Sequence, residues 1–287
     1  MTLSEHAPAK VNLTLKVIGR RSDGFHELIS LAAFASVGDV VELVPEGEVS
    51  LSIRGPFAGD LGEDNIILRA AKLLLEQCPG RRAGSFRLDK QLPVAAGLGG
   101  GSADAAAALR LMERATSEPL PSETIADTAR QLGADVPVCL GSKTCVMSGR
   151  GEKLTHVSVL PALPAVLVNP GVALCTKQVY AALNAAPVKH AQTGEASAPK
   201  SFGSADELVA HIQGSGNDLE AAATELVPAI AQVRATLQAL AGCRLAQMSG
   251  SGPTCFGLYG TADEARSAAQ IISTNHPHWW AVATELG

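Results

Sequence analysis

The stretch Leu92-Pro93-Val94-Ala95-Ala96-Gly97-Leu98-Gly99-Gly100-Gly101-Ser102-Ala103-Asp104 sets four glycines directly before an alanine-rich run that continues to Leu109. Glycine lets a backbone approach an anion closely and take up positive φ, and the first turn of a helix presents unpaired N–H groups at the positive end of its dipole. Together they make a cradle for phosphate. The segment is not a P-loop, because no Gly-Lys-Ser/Thr closes it. Nor is it a dinucleotide fingerprint, because the sixth position of Gly97-Leu98-Gly99-Gly100-Gly101-Ser102 is serine. Taken alone, a glycine run also suits a tight turn packed against a small-residue helix.

Periodicity predicts the elements that must hold this segment. From Lys10 to Val17 the chain alternates, with Val11, Leu13, Leu15 and Val17 on one face and Lys10, Asn12, Thr14 and Lys16 on the other, the pattern of a strand with one polar face. Lys10 and Asn12 then share a face, their Cα atoms about 6–7 Å apart. Further strands are expected at Val40 to Val44, Val49 to Ile53 and Phe86 to Lys90, in a mixed or antiparallel sheet. Helices are expected at Ile66 to Glu76, Ser102 to Arg114 and Ser122 to Leu132, the last with Ser122 as N-cap and Gly133 as stop. Thr144 to Met147 and Lys153 to Val157 flank Gly149-Arg150-Gly151-Glu152 as a hairpin.

The proline-rich Leu160 to Pro164 marks the expected domain boundary, dividing the chain into 1–160 and 161–287. Beyond it the pattern gives a strand at Ala165 to Asn169 and a loop from Ala185 to Ser204, rich in Ala, Gly, Ser, Pro and Lys. Helices at Asn217 to Leu226, Ala229 to Ala241 and Ala262 to Ile272 follow, with strands at Leu245 to Ser249, Thr254 to Tyr259 and Trp280 to Glu285. Adjacent strands and helices in both halves predict two α+β domains. Asp135, just before Pro137, suits a helix N-cap, and Phe25-His26 by itself reads as a core aromatic beside a surface histidine.

The chain has 287 residues, enough for one large or two modest domains that bury a real core. It is 46% hydrophobic and 18% charged, which excludes a disordered chain. A net charge of −5 leaves no global positive field for nucleic acid or an anionic membrane, and 3% aromatic residues argue against a surface that stacks many bases or sugar rings, while leaving room for one or two well-placed rings. The richest apolar stretch, Val159 to Cys175, is broken by Pro161, Pro164, Asn169 and Pro170, and the N-terminus lacks a secretory pattern, so a soluble cytoplasmic protein is expected. The six cysteines (Cys78, Cys139, Cys145, Cys175, Cys243, Cys255) show no Cys-x-x-Cys spacing and are expected to be reduced, mostly buried fillers, with no metal-ligand set among them.

The glycine-rich segment as a whole resembles the phosphate-binding motif of the galactokinase, homoserine, mevalonate and phosphomevalonate (GHMP) kinase superfamily: proline, three residues, Gly-Leu-Gly, then small residues and serine before a helix. The resemblance implies that Pro93, Val94, Ala95, Ala96, Gly97, Leu98, Gly99, Gly100, Gly101, Ser102 and Ala103 wrap the nucleotide, with Ser102 near the metal and the β/γ-phosphates. Ala103 stands where many members carry a second serine. Ala7-Pro8-Ala9-Lys10-Val11-Asn12-Leu13 looks like the superfamily's first motif, Leu132-Gly133-Ala134-Asp135-Val136-Pro137-Val138 resembles its catalytic aspartate region, and Met248-Ser249-Gly250-Ser251-Gly252-Pro253-Thr254-Cys255-Phe256 resembles its C-terminal glycine motif.

Arg21-Ser22-Asp23-Gly24-Phe25-His26-Glu27-Leu28 and Gly216-Asn217-Asp218-Leu219-Glu220 resemble the branch whose acceptor is a cytidylated methylerythritol. In that branch the aromatic ring stacks on cytosine and the histidine reads the base edge, which assigns Phe25 and His26. Thr176 and Tyr180 resemble its second cytidine wall, Tyr180 facing the base opposite Phe25, and Asn12 falls with the acceptor-binding positions. Asn65 and Lys90 stand at positions that resemble adenine contacts, although Asn65 also suits a helix cap and Lys90 a solvated surface.

The resemblance thus implies a two-domain α+β kinase, its N-terminal domain of the ribosomal-protein-S5-domain-2-like type and its C-terminal domain a ferredoxin-like α/β plait. The implied activity is Mg²⁺-assisted transfer of the ATP γ-phosphate to the acceptor's 2-hydroxyl, with Lys10 and Asp135 as catalytic residues and Mg²⁺ riding on the nucleotide. A monomer or weak homodimer is expected, with no nucleic-acid or membrane partner. Competing readings are a kinase for mevalonate, homoserine or a sugar, which Phe25-His26 and Tyr180 speak against, a non-catalytic nucleotide-binding regulator, and a dinucleotide-dependent dehydrogenase.

Overall fold

The expected strand from Lys10 to Val17 is two strands. In a computed structural model, which describes residues 1–62, 64–78, 83–116, 120–158, 160–188 and 201–287, β1 runs Leu3–Asn12 and β2 runs Lys16–Arg20, with a break at Leu13-Thr14-Leu15. Nor is one face of β1 solvated there: Lys10, Asn12 and Thr14 are all buried. Alternation of residue type therefore marks two different buried environments, one apolar and one lined with hydrogen-bonding groups. The third strand, β3, extends from His26 to Val44, far beyond the expected Val40–Val44, because its middle, Ser30 to Ala35, is buried on both faces and shows no alternation.

The chain divides into two compact units whose segments interleave, in contrast to the sequential division expected at residue 160. One unit comprises Met1–Ala9, Val37–Val94 and Gly99–Ser142, the other Lys10–Ser36, Ala95–Leu98 and Lys143–Gly287.

In the first unit β4 (Ser50–Arg54) pairs in parallel with β5 (Ser85–Asp89), which pairs antiparallel with the end of β3, Val40 opposite Asp89. The sheet is mixed, as expected. Asn65 caps α1 (Ile66–Gln77) by accepting a hydrogen bond from the Ile67 N–H at 2.9 Å, and Ile67, Ala70, Ala71 and Leu74 form its buried stripe. Helix α2 (Gly100–Arg114) packs against α1, α3 (Ser122–Leu132) and α4 (Val136–Gly141). Its unbroken buried run from Ala103 to Leu109 explains the alanines, since a small side chain on every side lets three helices approach one axis. The N-cap of α3 is Pro121 rather than Ser122, whose place is already inside the first turn, while Gly133 ends the helix as expected.

In the second unit β6 (Cys145–Gly149) and β7 (Lys153–His156) form the expected hairpin, and β6 pairs with β3 from Leu28 to Ala32. There follow β8 (Leu163–Asn169), α5 (Thr176–Leu183), α6 (Ala205–Ser215), α7 (Glu220–Leu226), α8 (Ala229–Ala239), β9 (Leu245–Met248), β10 (Cys255–Leu258), α9 (Ala262–Asn275) and β11 (Trp280–Leu286). Strand order β11-β8-β10-β9, with antiparallel neighbours throughout, is the order of a ferredoxin-like plait. Val166, Val168, Ile230, Val233, Leu237 and Ile272 are among the residues that fill the core between these strands and α8 and α9. A reciprocal capping box, Thr261 with Glu264, starts α9.

Helices α5 and α6 were not among the expected elements, and α4 was foreshadowed only by the N-cap context of Asp135. Helix α7 begins at Glu220 instead of Asn217, because Asn217 and Asp218 spend their side chains on long-range bonds: the Asp218 carboxylate accepts from Lys16 Nζ at 2.8 Å and from the Val17 N–H at 2.9 Å. Residues 189–200 of the expected Ala185–Ser204 loop lie outside the described residues. All six cysteines are free, with Cys139, Cys145 and Cys255 buried. No helix among the described residues is long and apolar enough to cross a membrane.

Candidate active site

The glycine-rich loop is held by its carbonyls. Three consecutive ones accept hydrogen bonds from three different elements: Ala96 O from the Thr254 N–H (3.2 Å), Gly97 O from Ser249 Oγ (3.0 Å), and Leu98 O from the Lys10 N–H (2.8 Å). In a planar trans peptide the C=O and the following N–H point in opposite directions. Fixing these three carbonyls therefore turns the N–H groups of Gly97, Leu98 and Gly99 away from the side that holds them, as an anion-binding nest requires. Gly97 has φ +75° and Gly99 φ +62°, both left-handed, and Gly99 caps α2 with no side chain in the way. The N–H groups of Gly100, Gly101 and Ser102 then continue the donor array into the first turn of α2.

At Gly97 the conformation and the space both demand glycine, since a Cβ there would lie 2.5 Å from Ser249 O and 2.8 Å from Gly252 O. Gly97→Ala is expected to weaken binding of a nucleoside triphosphate at least about tenfold, the equivalent of ~1.4 kcal/mol. Titration calorimetry checks this, and unchanged affinity would show that the loop does not depend on the close approach.

Lys90, an expected adenine contact, is a buried, paired cation in this structure. It is 2% exposed, and its ammonium donates to Asp39 Oδ2 at 2.6 Å and Asp104 Oδ2 at 2.7 Å. Its backbone is committed as well, the N–H to Arg54 O and the C=O to the Phe57 N–H. Burial opposes the charge on Lys90, and the Asp104 and Asp39 carboxylates outweigh that penalty, so the ammonium is held above its ordinary value. Burial pushes the Asp104 carboxyl up to about 7 against the pull of Lys90. Asp39 Oδ1 in turn accepts the N–H groups of Gln91 and Leu92 at 2.6 and 2.8 Å. One buried triad thus fixes the chain immediately before the loop and, through Asp104, the helix immediately after it.

The two expected catalytic residues lie in different units. Lys10 is buried on β1. Asp135 occupies the N-cap position of α4, as its helix-starting context predicts, yet its side chain makes no capping hydrogen bond there. Helix α4 is fixed from its other end by Arg110 of α2, whose guanidinium donates to the carbonyls of Cys139 (2.9 Å) and Leu140 (3.2 Å) and pairs with Glu5 at 2.8 Å. Asn12 Nδ2 donates to Ser30 Oγ at 2.7 Å, which fixes the amide beside Gly250.

The residues expected at the pyrimidine are partly brought together. Phe25 is held by an Asx turn, its N–H donating to Asp23 Oδ1 at 3.1 Å, and the residue is 51% exposed, an unusual position for a large apolar side chain. The Arg150 guanidinium lies 3.7 Å from its centroid. Tyr180, expected to face the base opposite Phe25, stacks on His26, with centroids 4.7 Å apart and planes 30° apart. Burial and the Arg20 charge hold the His26 imidazole below its ordinary value, so at neutral pH it presents one donor and one acceptor nitrogen. Thr176, one turn before Tyr180 on α5, shares a hydrogen bond with Ser251 at 2.8 Å.

Comparison with known proteins bears on this arrangement. Residues 65–143 match the GHMP kinases N terminal domain and residues 195–278 the GHMP kinases C terminal domain. A 4-diphosphocytidyl-2-C-methyl-D-erythritol kinase of Rhodopseudomonas palustris is 49% identical over 292 residues, covering 99% of this chain and 95% of its own. One of Methylorubrum extorquens is 48% identical over 287 residues, covering 99% of each. A crystal structure of a 4-(cytidine 5'-diphospho)-2C-methyl-D-erythritol kinase superposes with a TM-score of 0.76 at 36% identity, covering 99% of both chains. The chain is a GHMP kinase of the 4-diphosphocytidyl-2-C-methyl-D-erythritol kinase family.

Three features of the candidate site in this GHMP kinase are not evident from the sequence. Arg150 sits in a segment whose Gly-x-Gly spacing signals only a turn, and nothing in the sequence couples it to Phe25, 125 residues earlier in the chain. Asp104 carried a readable signal, a single acidic residue within the alanine run from Ala103 to Ala108, which implies either a solvent-facing position or a buried partner. The Ser249 hydroxyl was hidden inside a glycine motif. For magnesium, no group of three or more His, Cys, Asp or Glu side chains among the described residues is placed to hold a metal ion, and Asp39 and Asp104 already serve Lys90.

Proposed function

We propose that this GHMP kinase transfers the γ-phosphoryl group of ATP to the 2-hydroxyl of 4-diphosphocytidyl-2-C-methyl-D-erythritol, in the non-mevalonate route to isoprenoids. The observation that carries the reading is the exposed Phe25 ring beside a neutral His26 stacked on Tyr180, in a chain about half identical to relatives of that name along their whole lengths. An aromatic face and a neutral imidazole are what a pyrimidine needs for stacking and edge recognition. Mevalonate, homoserine and simple sugars have no use for either.

The outward N–H groups of Gly97 to Ser102 bind and orient the triphosphate. Asp135 accepts or orients the proton of the acceptor hydroxyl as its oxygen bonds to the γ-phosphorus and the bond to the bridging oxygen of ADP breaks. The Lys10 ammonium stabilises the charge that develops on the transferring group. Mg²⁺, when bound with the nucleotide, neutralises phosphate charge. Catalysis is then mainly positioning and electrostatics. The chain works in the cytoplasm as a monomer or weak homodimer on small molecules, without nucleic-acid or membrane partners.

The test is Mg·ATP-dependent ADP release with the cytidylated alcohol, beside the same alcohol lacking the cytidine and a panel of mevalonate, homoserine and galactose. Turnover confined to the cytidylated alcohol is expected. Turnover on another alcohol overturns the pyrimidine pocket, and nucleotide binding without any turnover favours a regulator. Within this reading, Phe25→Ala raises KM for the acceptor about 5- to 150-fold, the equivalent of ~1–3 kcal/mol of lost stacking, while kcat changes less. A KM equal to that of the unaltered protein removes Phe25 from the site.

A further inference from the structure

Of the three bonds that hold the loop carbonyls, two come from backbone N–H groups, which nearly any residue at positions 10 and 254 supplies. The third, to Gly97 O, comes from a side chain. Ser249 directly follows β9 and is wholly buried. Its Oγ accepts the Asn12 N–H at 3.1 Å, and an N–H can only donate, so the single hydroxyl proton is committed to Gly97 O at 3.0 Å.

The residue is itself held rigidly. Its N–H donates to Thr254 O and its C=O accepts the Gly252 N–H, both at 2.9 Å. Asn217 Nδ2 grips the carbonyls on either side of it, Met248 O at 2.9 Å and Gly250 O at 2.8 Å.

We infer that Ser249 is a positioning residue for the phosphoryl donor: by holding Gly97 O it aims the Leu98 N–H outward at the polyphosphate. The inference rests on the proposed reading only in taking the loop as the triphosphate site. Without the hydroxyl, the Gly97–Leu98 peptide plane loses its anchor and can rotate, and the left-handed φ of Gly97 offers no steric resistance. The same hydroxyl ties the loop to the strand that carries Lys10, so one atom coordinates the donor cradle with that strand.

The test is Ser249→Ala, compared with the unaltered chain for binding of AMP-PNP and of AMP by calorimetry and for kcat and acceptor KM. The expected result is a rise in the AMP-PNP dissociation constant of at least about tenfold, a rise for AMP of less than about twofold, and a lower kcat at nearly constant acceptor KM. Ser249→Cys, which keeps the shape and a weaker donor, is expected to recover part of the AMP-PNP affinity, and its AMP-PNP/AMP comparison decides the matter if the alanine variant does not fold. Undiminished AMP-PNP affinity overturns the inference, and so does an equal loss for both nucleotides, which marks general loosening. Failure of the unaltered chain to phosphorylate the cytidylated alcohol while binding AMP-PNP defeats the proposed function and leaves this comparison intact.

Discussion

Asp135→Asn is expected to lower kcat at least about 10²-fold while ATP affinity stays within about twofold. Asparagine keeps the shape and the helix-starting role of the residue but cannot take a proton. Two features of the structure keep the substitution local. Asp135 stands at the N-cap position of α4 but makes no side-chain capping hydrogen bond there, so exchange for asparagine removes no cap from the helix. Helix α4 is instead fixed by Arg110 through the Cys139 and Leu140 carbonyls, so the substitution leaves that support in place. Single-turnover and steady-state assays with the cytidylated acceptor measure the effect. A fall of less than tenfold ends the assignment of Asp135 as the group that handles the hydroxyl proton.

The second large effect is on stability. Lys90→Met leaves the buried carboxylates of Asp39 and Asp104 facing each other without their cation, a change expected to cost about 3–5 kcal/mol. The loss depends on pH. Burial already raises the Asp104 carboxyl above its unfolded value against the pull of Lys90, and with the ammonium gone that pull is lost, so the folded variant binds more protons than its unfolded state. Stability of the variant therefore falls as pH rises through that window and is partly restored by acid. Urea unfolding at pH 5 and pH 8 should show the deficit relative to the unaltered chain widening at the higher pH. A deficit that does not change between them would mean that Lys90 contributes packing and not charge.

The local parts of the site were legible. Glycines followed by an alanine-rich run gave the loop and α2, Asn65 gave the start of α1, Gly133 the end of α3, and Gly149-Arg150-Gly151-Glu152 the hairpin. Each is governed by bonds between residues a few positions apart. What could not be read depends on distant partners. Lys90 looked like a surface cation because Asp39 lies 51 residues away from it, and Asn217 looked helical because its partners are the carbonyls of Met248 and Gly250. The burial of the polar face of β1 could not be read either, since alternation reveals that residues differ and not what covers them. The pairing of Tyr180 with His26 follows from the placement of α5, a helix whose eight residues carry too weak a pattern to be seen.

The anchoring of the loop also constrains when the protein becomes competent. The donors that hold Ala96, Gly97 and Leu98 are supplied by residues 10, 249 and 254, so the nest joins the first dozen residues of the chain to its last forty. A ribosome delivers the glycine loop long before it delivers Ser249 and Thr254. Until then two of the three carbonyls have no partner, and a chain halted short of residue 249 carries the phosphate-binding motif without the means to shape it. Such high sequence separation predicts slow closure of the site relative to the helices around it. Unfinished or truncated copies thereby have no formed trap in which to sequester nucleotide.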